Sequence, residues 1–263
     1  MKTRNIMLCT LCFITAGTTA VARADESDNP SQSSVTVGIG AQNAPRYSGS
    51  EKRAMQVMPV VQARYGAFFL DSQQGIGYDL ISDNGLYLEH TLGYTLGRSE
   101  KNSSWREGAN KLKGMGNINS AVNTTIAIGW TIAPWVSVEG KASLPLSDGQ
   151  GGQYRTSLTL LPIQNDSDTL AWQAAALFGD HRYMNTFYGV NKQQSARSGY
   201  HRFNTAGGFY GIDTSLTWSH QFSSHWGTSF SAGYTWLGDH AADSPIVFRR
   251  SQVTGTAAVT YTF

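Results

Sequence analysis

From Tyr210 to Trp236 the chain alternates, residue by residue, between apolar and polar or small side chains, and that single feature narrows the possible folds most. Tyr210, Ile212, Thr214, Leu216, Trp218 and Phe222 share one face, with Gly211, Asp213, Ser215, Thr217, Ser219 and Gln221 opposite; His220 is the polar exception. After Ser223 and Ser224 the pattern resumes, with Trp226, Phe230, Ala232, Tyr234 and Trp236 facing one way and Gly227, Ser229, Ser231, Gly233 and Thr235 the other. Period two is strand spacing, so this stretch predicts an antiparallel hairpin. Leu86, Leu88, Leu92, Tyr94 and Leu96, and then Val122, Ile126, Ile128 and Trp130, repeat the alternation earlier in the chain.

A soluble sandwich also alternates, so length and chemistry must decide. The runs reach roughly 9 to 13 residues, whereas a globular strand has about 5 or 6 and a tilted strand crossing lipid needs about 9 to 11. Aromatic residues gather near run ends, at Trp218, Phe222, Trp226, Tyr234 and Trp236, where amphipathic rings suit a headgroup layer. The opposite faces carry Glu89, Glu139, Lys141 and Asp213, which a dry core could hold only at high cost but a wet lumen holds readily. With 28 Gly, 12 Tyr, 11 Phe and only 14% charged residues, the composition fits the same class. Glycines inside runs, such as Gly211, Gly227, Gly233 and Gly255, suit bends in a barrel wall.

The expected fold is therefore all-β: a transmembrane antiparallel β-barrel over residues 35–263. Candidate strands are 35–41, 54–65, 67–81, 86–97, 117–130, 135–146, 154–162, 170–179, a shorter one at 184–190, then 207–222, 225–237 and 252–263. This makes twelve, with ten as the alternative count. Long polar connections at 99–116, 191–206 and 238–251 contrast with tight turns at 83–85 and 223–224, and are expected to face outside. Lipid offers no partner to an open edge, so the first strand must meet the last.

The start of the chain supplies an address. Lys2 and Arg4 precede an apolar run from Ile6 to Thr15, and Ala22-Arg23-Ala24 has the form that a signal peptidase accepts. Residues 1–24 are expected to be a cleaved signal peptide and 25–34 a short periplasmic segment. The apolar run falls short of the roughly 20 residues of a spanning helix. Cys9 and Cys12, the two cysteines, both lie in the leader, each preceded by Leu, so neither lipid modification nor disulfides are expected. Without Lys2, Arg4 and Arg23 the charge becomes 20−3−18 = −1, and no concentrated basic face points to nucleic acid. The last run alternates Val253, Ala257, Val259, Tyr261 and Phe263 with threonines and Ala258; its closing aromatics, Tyr261 and Phe263, resemble the signal read by the outer-membrane assembly machinery.

Catalysis finds little footing. Ser195 and Ser198 lie near His201, but a serine nucleophile needs a base within hydrogen-bond reach and a third group orienting it, which closeness in a loop does not supply. His90, His181, His220, His225 and His240 show no metal spacing, so no enzyme, cofactor or metal site is expected. Lys192, Arg197 and Arg202 suit a phosphate or lipid headgroup, a solvated loop, or, for Arg197, a return into the lumen to pair with Asp213.

Phe187-Tyr188-Gly189-Val190, followed by Gln194-Ser195-Ala196-Arg197-Ser198-Gly199-Tyr200, resembles the MltA-interacting protein (MipA)/OmpV family of outer-membrane proteins. Tyr47-Ser48-Gly49-Ser50, Leu112-Lys113-Gly114-Met115-Gly116-Asn117 and Asp243-Ser244-Pro245-Ile246 look like further landmarks in family order, with Asn117 standing where many members carry an acid. The resemblance implies a monomeric barrel that acts as a scaffold between a murein-degrading lytic transglycosylase and a murein synthase, or, in OmpV-type relatives, a small channel or adhesin-like barrel. It implies outer-membrane lipid, lipopolysaccharide and the assembly machinery as surroundings. Tyr188, Gly189, Ser195, Arg197, Ser198, Gly199, Asp243, Ser244 and Pro245 are expected to serve the structure.

Overall fold

The computed structural model describes residues 33–147 and 149–263; the expected leader, with Ala22 and Ala24, lies outside them. Fourteen strands appear in the order β1 (Ser33–Pro45), β2 (Arg53–Tyr65), β3 (Phe68–Asp71), β4 (Gly75–Ile81), β5 (Leu86–Thr95), β6 (Arg98–Ser99), β7 (Glu107–Gly108), β8 (Ala121–Ala133), β9 (Val136–Pro145), β10 (Gln153–Gln164), β11 (Asp168–Gly179), β12 (Gly208–Gln221), β13 (Trp226–Leu237) and β14 (Ser251–Thr262). Twelve of them close an antiparallel barrel in chain order, with β1 against β14; β6 and β7 form a separate parallel pair within one connection. The seam runs from Thr36↔Thr262 to Asn43↔Gly255, so the wall has no open end there.

The expected count holds, although two of its members change. The expected strand at 67–81 is a hairpin of β3 and β4. Asp71 breaks it, because its Oδ1 accepts the N–H groups of Gln73 and Gln74, and Gly75 follows at φ +107°. The expected strand at 184–190 is instead α1 (His181–Phe187), started by the Asp180 side chain accepting from the Tyr183 N–H. β1 also begins two residues ahead of its expected start, at Ser33.

Side chains in the wall are sorted opposite to a soluble core. Ile39 is 61% exposed and Val57 63%, while Glu139 is 6% exposed and Ser137 3%. Apolar outward and polar inward is a stable arrangement only when the outside is hydrocarbon. Among the described residues no helix is long and apolar enough to cross a membrane, so the strands do the crossing. Near the short-turn end, Trp226, Tyr261 and Phe263 pack edge to face, and Trp218 stacks on Phe230, 5.9 Å between centroids. These rings form the expected aromatic girdle.

The barrel has two unlike ends. Turns at 66–67, 82–85, 134–135, 165–167 and 222–225 close one; connections at 46–52, 96–120, 146–152, 180–207 and 238–250 gather at the other, which faces outward in barrels of this kind. The outer connections also contain a short 3-10 helix (Asn110–Leu112), α2 (Lys192–Ser198) and α3 (Asp239–Ala242).

Candidate functional site

Two places gather chemistry, the outer cap and the lumen wall. The cap has its own dry interior. Tyr47, Ala109, Leu112, Met115, Val190 and Ile246 pack as one buried cluster, and Leu177, Met184, Tyr188, Tyr210, Leu237 and Ala241 as another. Four segments far apart in sequence thus meet above the barrel, and each carries one of the landmarks read from the sequence.

Hydrogen bonds stitch those landmarks together. Tyr47 Oη donates to the Ile246 carbonyl (2.9 Å), the Gly49 N–H donates to Gln252 Oε1 (3.0 Å), and the Ser48 and Tyr188 hydroxyls lie 2.8 Å apart. Ser244 Oγ donates to the Tyr188 carbonyl at 2.5 Å. Gly49 must be glycine: at φ +96° a Cβ would fall 2.7 Å from Val247. α2 starts with a capping box between Asn191 and Gln194 and ends at Gly199 with φ +81°. Gln194 Nε2 also donates to the Met115 carbonyl, and a Cβ on Gly114 would meet the Arg197 carbonyl at 2.7 Å, so helix and loop pack backbone to backbone. Glu100 accepts the N–H groups of Gly114 and Gly116, which holds its carboxyl below the usual carboxylate range. Asn117 Oδ1 accepts the Glu100 N–H at 3.1 Å, an acceptor role open to an acid as well.

Sequence reasoning passed over Arg98, which lies at the centre of the cap, 4% exposed. It donates to the Phe187 carbonyl (2.5 Å), its guanidinium lies over the Tyr47 and Phe187 rings, and Glu107 stands in register across the β6–β7 pair. Burial lowers the Arg98 pKa, and the nearby Glu107 carboxylate opposes that shift. Burial likewise pushes the Tyr183 and Tyr188 phenols well up, so both stay neutral.

The remaining candidates find modest places. Gly189 N–H donates to the Asn185 carbonyl, Ser195 N–H to the Asn191 carbonyl, and Asp243 N–H to the Asp239 carbonyl; Pro245 is half-buried beside the fully buried Ile246. Arg197 is exposed and does not reach the lumen, where Asp213 is paired by Arg155 at 3.1 Å. Ser198 Oγ donates to the Gln194 carbonyl, and among the described residues no hydrogen bond joins His201 to Ser195 or Ser198. No group of three His, Cys, Asp or Glu with metal-ligand geometry occurs among the described residues.

Inside the barrel the ionic groups line the wall. Tyr87 Oη donates to Glu139 Oε2 (2.9 Å), and Lys141 Nζ lies 3.8 Å from Glu89 and 4.0 Å from Glu139. Arg64 pairs with Asp79 at 2.8 Å, and Arg155 also donates to Gln173, which donates to Thr159. Every one of these ion pairs stays within one strand or joins strands next but one, so the charges run round the bore.

A closed twelve-strand wall, apolar outside and charged within, defines an outer-membrane β-barrel. The family model described as MltA-interacting protein MipA matches residues 37–263, and the chain belongs to that family. It is similar to YiaT of Escherichia coli, an outer membrane protein by name, in both strain K12 and O157:H7: 25% identity over 185 residues, covering 66% of this chain and 75% of YiaT. Among solved structures, an outer membrane channel from Pseudomonas putida F1 superposes with a TM-score of 0.52 at 11% identity, covering 92% of this chain and all of that one, which shows a shared fold. The NanC porin matches at a TM-score of 0.43 and 8% identity, over 85% of this chain and 98% of its own.

Proposed function

We propose that this barrel is a membrane-held attachment point for a murein lytic transglycosylase, together with a murein synthase. The observation that carries this reading is the family match, which spans the wall and the cap without a break from residue 37 to 263. The cap supports it in a second way. Its landmarks are spent on internal hydrogen bonds and buried contacts, the mark of a fixed platform rather than of a reactive centre.

One observation favours a second reading, a small channel that admits cations over anions. Asp71, Asp79, Glu89, Glu139 and Asp213 face the lumen against Arg64, Lys141 and Arg155. Rings of carboxylates select cations in pores. Capture of purified transglycosylase and synthase by the barrel in detergent, set beside single-channel recording in planar bilayers, separates the two. The attachment reading predicts capture with no stepwise conductance; conductance that reverses toward the cation potential, without capture, refutes it.

A further inference from the structure

The wall is not uniformly tall. On its β1 side, β2 is paired from Arg53 to Tyr65, but on its β3 side only from Gln62 to Tyr65, because β3 spans only Phe68–Asp71. On the far side of the hairpin, β4 covers β5 from Tyr87 to Leu92 and then stops. Above the 72–74 turn, two strands' worth of wall is missing between residues 53–58 of β2 and the end of β5. Three strand spacings of about 4.8 Å make this breach roughly 14 Å wide, backbone to backbone.

The edges are finished as free edges. Val61 exchanges its main-chain groups with Ser72, accepting from the N–H and donating to Oγ, so the odd-numbered residues of β2 present their N–H and C=O to the breach. At the next such position stands Pro59, which has no N–H to leave unpaired, and whose carbonyl accepts from Ser72 Oγ. Beyond it, Val57 and Met55, paired with β1 on their other side, have no strand opposite them on the β3 side among the described residues. Bare edges of this kind are not tolerated against hydrocarbon; they persist where they border a cavity that admits water or ligand. The top is bridged, since the Gly108 N–H donates to the Arg46 carbonyl, Arg46 to the Ser103 carbonyl, and Lys111 pairs with Glu51. Trp105, 83% exposed, projects from this bridge.

Just inside the breach the otherwise polar lumen turns apolar. Val60 and Ala258 are buried together with Met58 packed on them, and the Phe69 ring lies inward under the Arg64 guanidinium. We propose that the breach is a lateral doorway by which a single alkyl chain enters the lumen from the outer leaflet and rests on Met58, Val60 and Phe69. A chain in that position would lie against the part-exposed Met58 and Phe69 side chains, beside the buried Val60.

The test uses the whole protein reconstituted in lipid bilayers, with a hexadecanoic acid carrying a chain diazirine as probe and, in a parallel arm, a phospholipid carrying the same chain. After photolysis, labelled residues are mapped by mass spectrometry. Outward-facing Met55 and Val57 mark successful contact with the probe. The doorway predicts additional label on Met58, Val60 and Phe69 with none on lumen-facing Ser157 and Thr159, and Met58→Gln should reduce the inner label several-fold while sparing Val57. Label from the free acid alone identifies a single-chain amphiphile as the occupant; label from the phospholipid as well identifies a membrane lipid's own chain. Label confined to outward residues overturns the proposal, and so does uniform label throughout the lumen, which would mean entry from an end.

Discussion

In the wall, Ile39, Val57 and Leu216 point away from the protein; in the cap, Leu112, Met184 and Ile246 have at most 1% of their surface exposed. One polypeptide thus meets two solvents. Beside lipid, an apolar side chain is stabilised mainly by reaching hydrocarbon, and its protein neighbours add little; beneath water, the same side chain needs neighbours on every side. The wall therefore needs only alternation and a continuous hydrogen-bond ladder, whereas the cap needs shape complementarity like a small globular core. Substitutions should behave differently in the two places.

The largest effect is expected at Arg98. Arg98→Met leaves the Phe187 carbonyl without its donor and removes the guanidinium from the Tyr47 and Phe187 rings, a loss of about 3–5 kcal/mol from the orphaned acceptor and two desolvated cation–π contacts. Protease nicking within residues 98–115 and 180–206 should rise sharply while the barrel stays folded on unheated gels. Next comes a matched pair. Leu112→Ala should cost the cap about 2–5 kcal/mol by opening a cavity, read as faster amide exchange at Tyr47 and Val190. Leu216→Ala on the lipid face should lose only the transfer of its removed carbons to hydrocarbon, about 2 kcal/mol in urea unfolding, with no cavity cost and no change in exchange at Tyr47 and Val190; faster exchange there would erase the distinction between wall and cap.

A smaller effect concerns acidity. The native Glu100 pKa is lowered, so the loop order it confers is fully present above the ordinary carboxylate value of about 4.3 and is lost as pH falls through the lowered native value. Exchange protection of the Gly114 and Gly116 amides should drop in that acidic window, and Glu100→Gln should flatten the dependence. Arg197→Ala should do least. The exposed guanidinium should leave gel heat resistance and midpoint within about 0.5 kcal/mol of the parent, and a marked loss would show that α2 is held by that side chain rather than by its capping box.

These contrasts also explain what could be read from the sequence. The wall was legible because lipid imposes a period on each strand: the β12–β13 hairpin appears where Tyr210 to Trp236 alternates, and inward Asp213, Glu89, Glu139 and Lys141 were identified by face alone. The cap was not, because its elements are short and gain their stability from partners distant in the chain. Residues 184–190 have an apolar look that suits a strand, but the Asp180 cap and burial of Met184 make them helical. Asn191 with Gln194 three residues on is a capping pair, a helix start that the polar composition of 191–206 hides among loop residues. The break in 67–81 was likewise written in Asp71 and Gly75, though their consequence, a shortened wall, required the neighbouring registers. Arg98 carried no local signal at all, since its importance comes from Tyr47, Glu107 and Phe187 converging on it.

All of this requires that the chain close on itself between its first and last strands. The hydroxyls of Thr36 and Thr262 lie 2.8 Å apart across that seam, and those of Thr125 and Ser143 lie 2.9 Å apart across the β8–β9 hairpin. With cysteines at Thr36→Cys and Thr262→Cys, mild oxidation of outer membranes should give a disulfide-closed ring of altered gel mobility, as readily as Thr125→Cys with Ser143→Cys gives its hairpin link. Efficient linking of the hairpin pair with no linking of the seam pair would contradict the closed barrel.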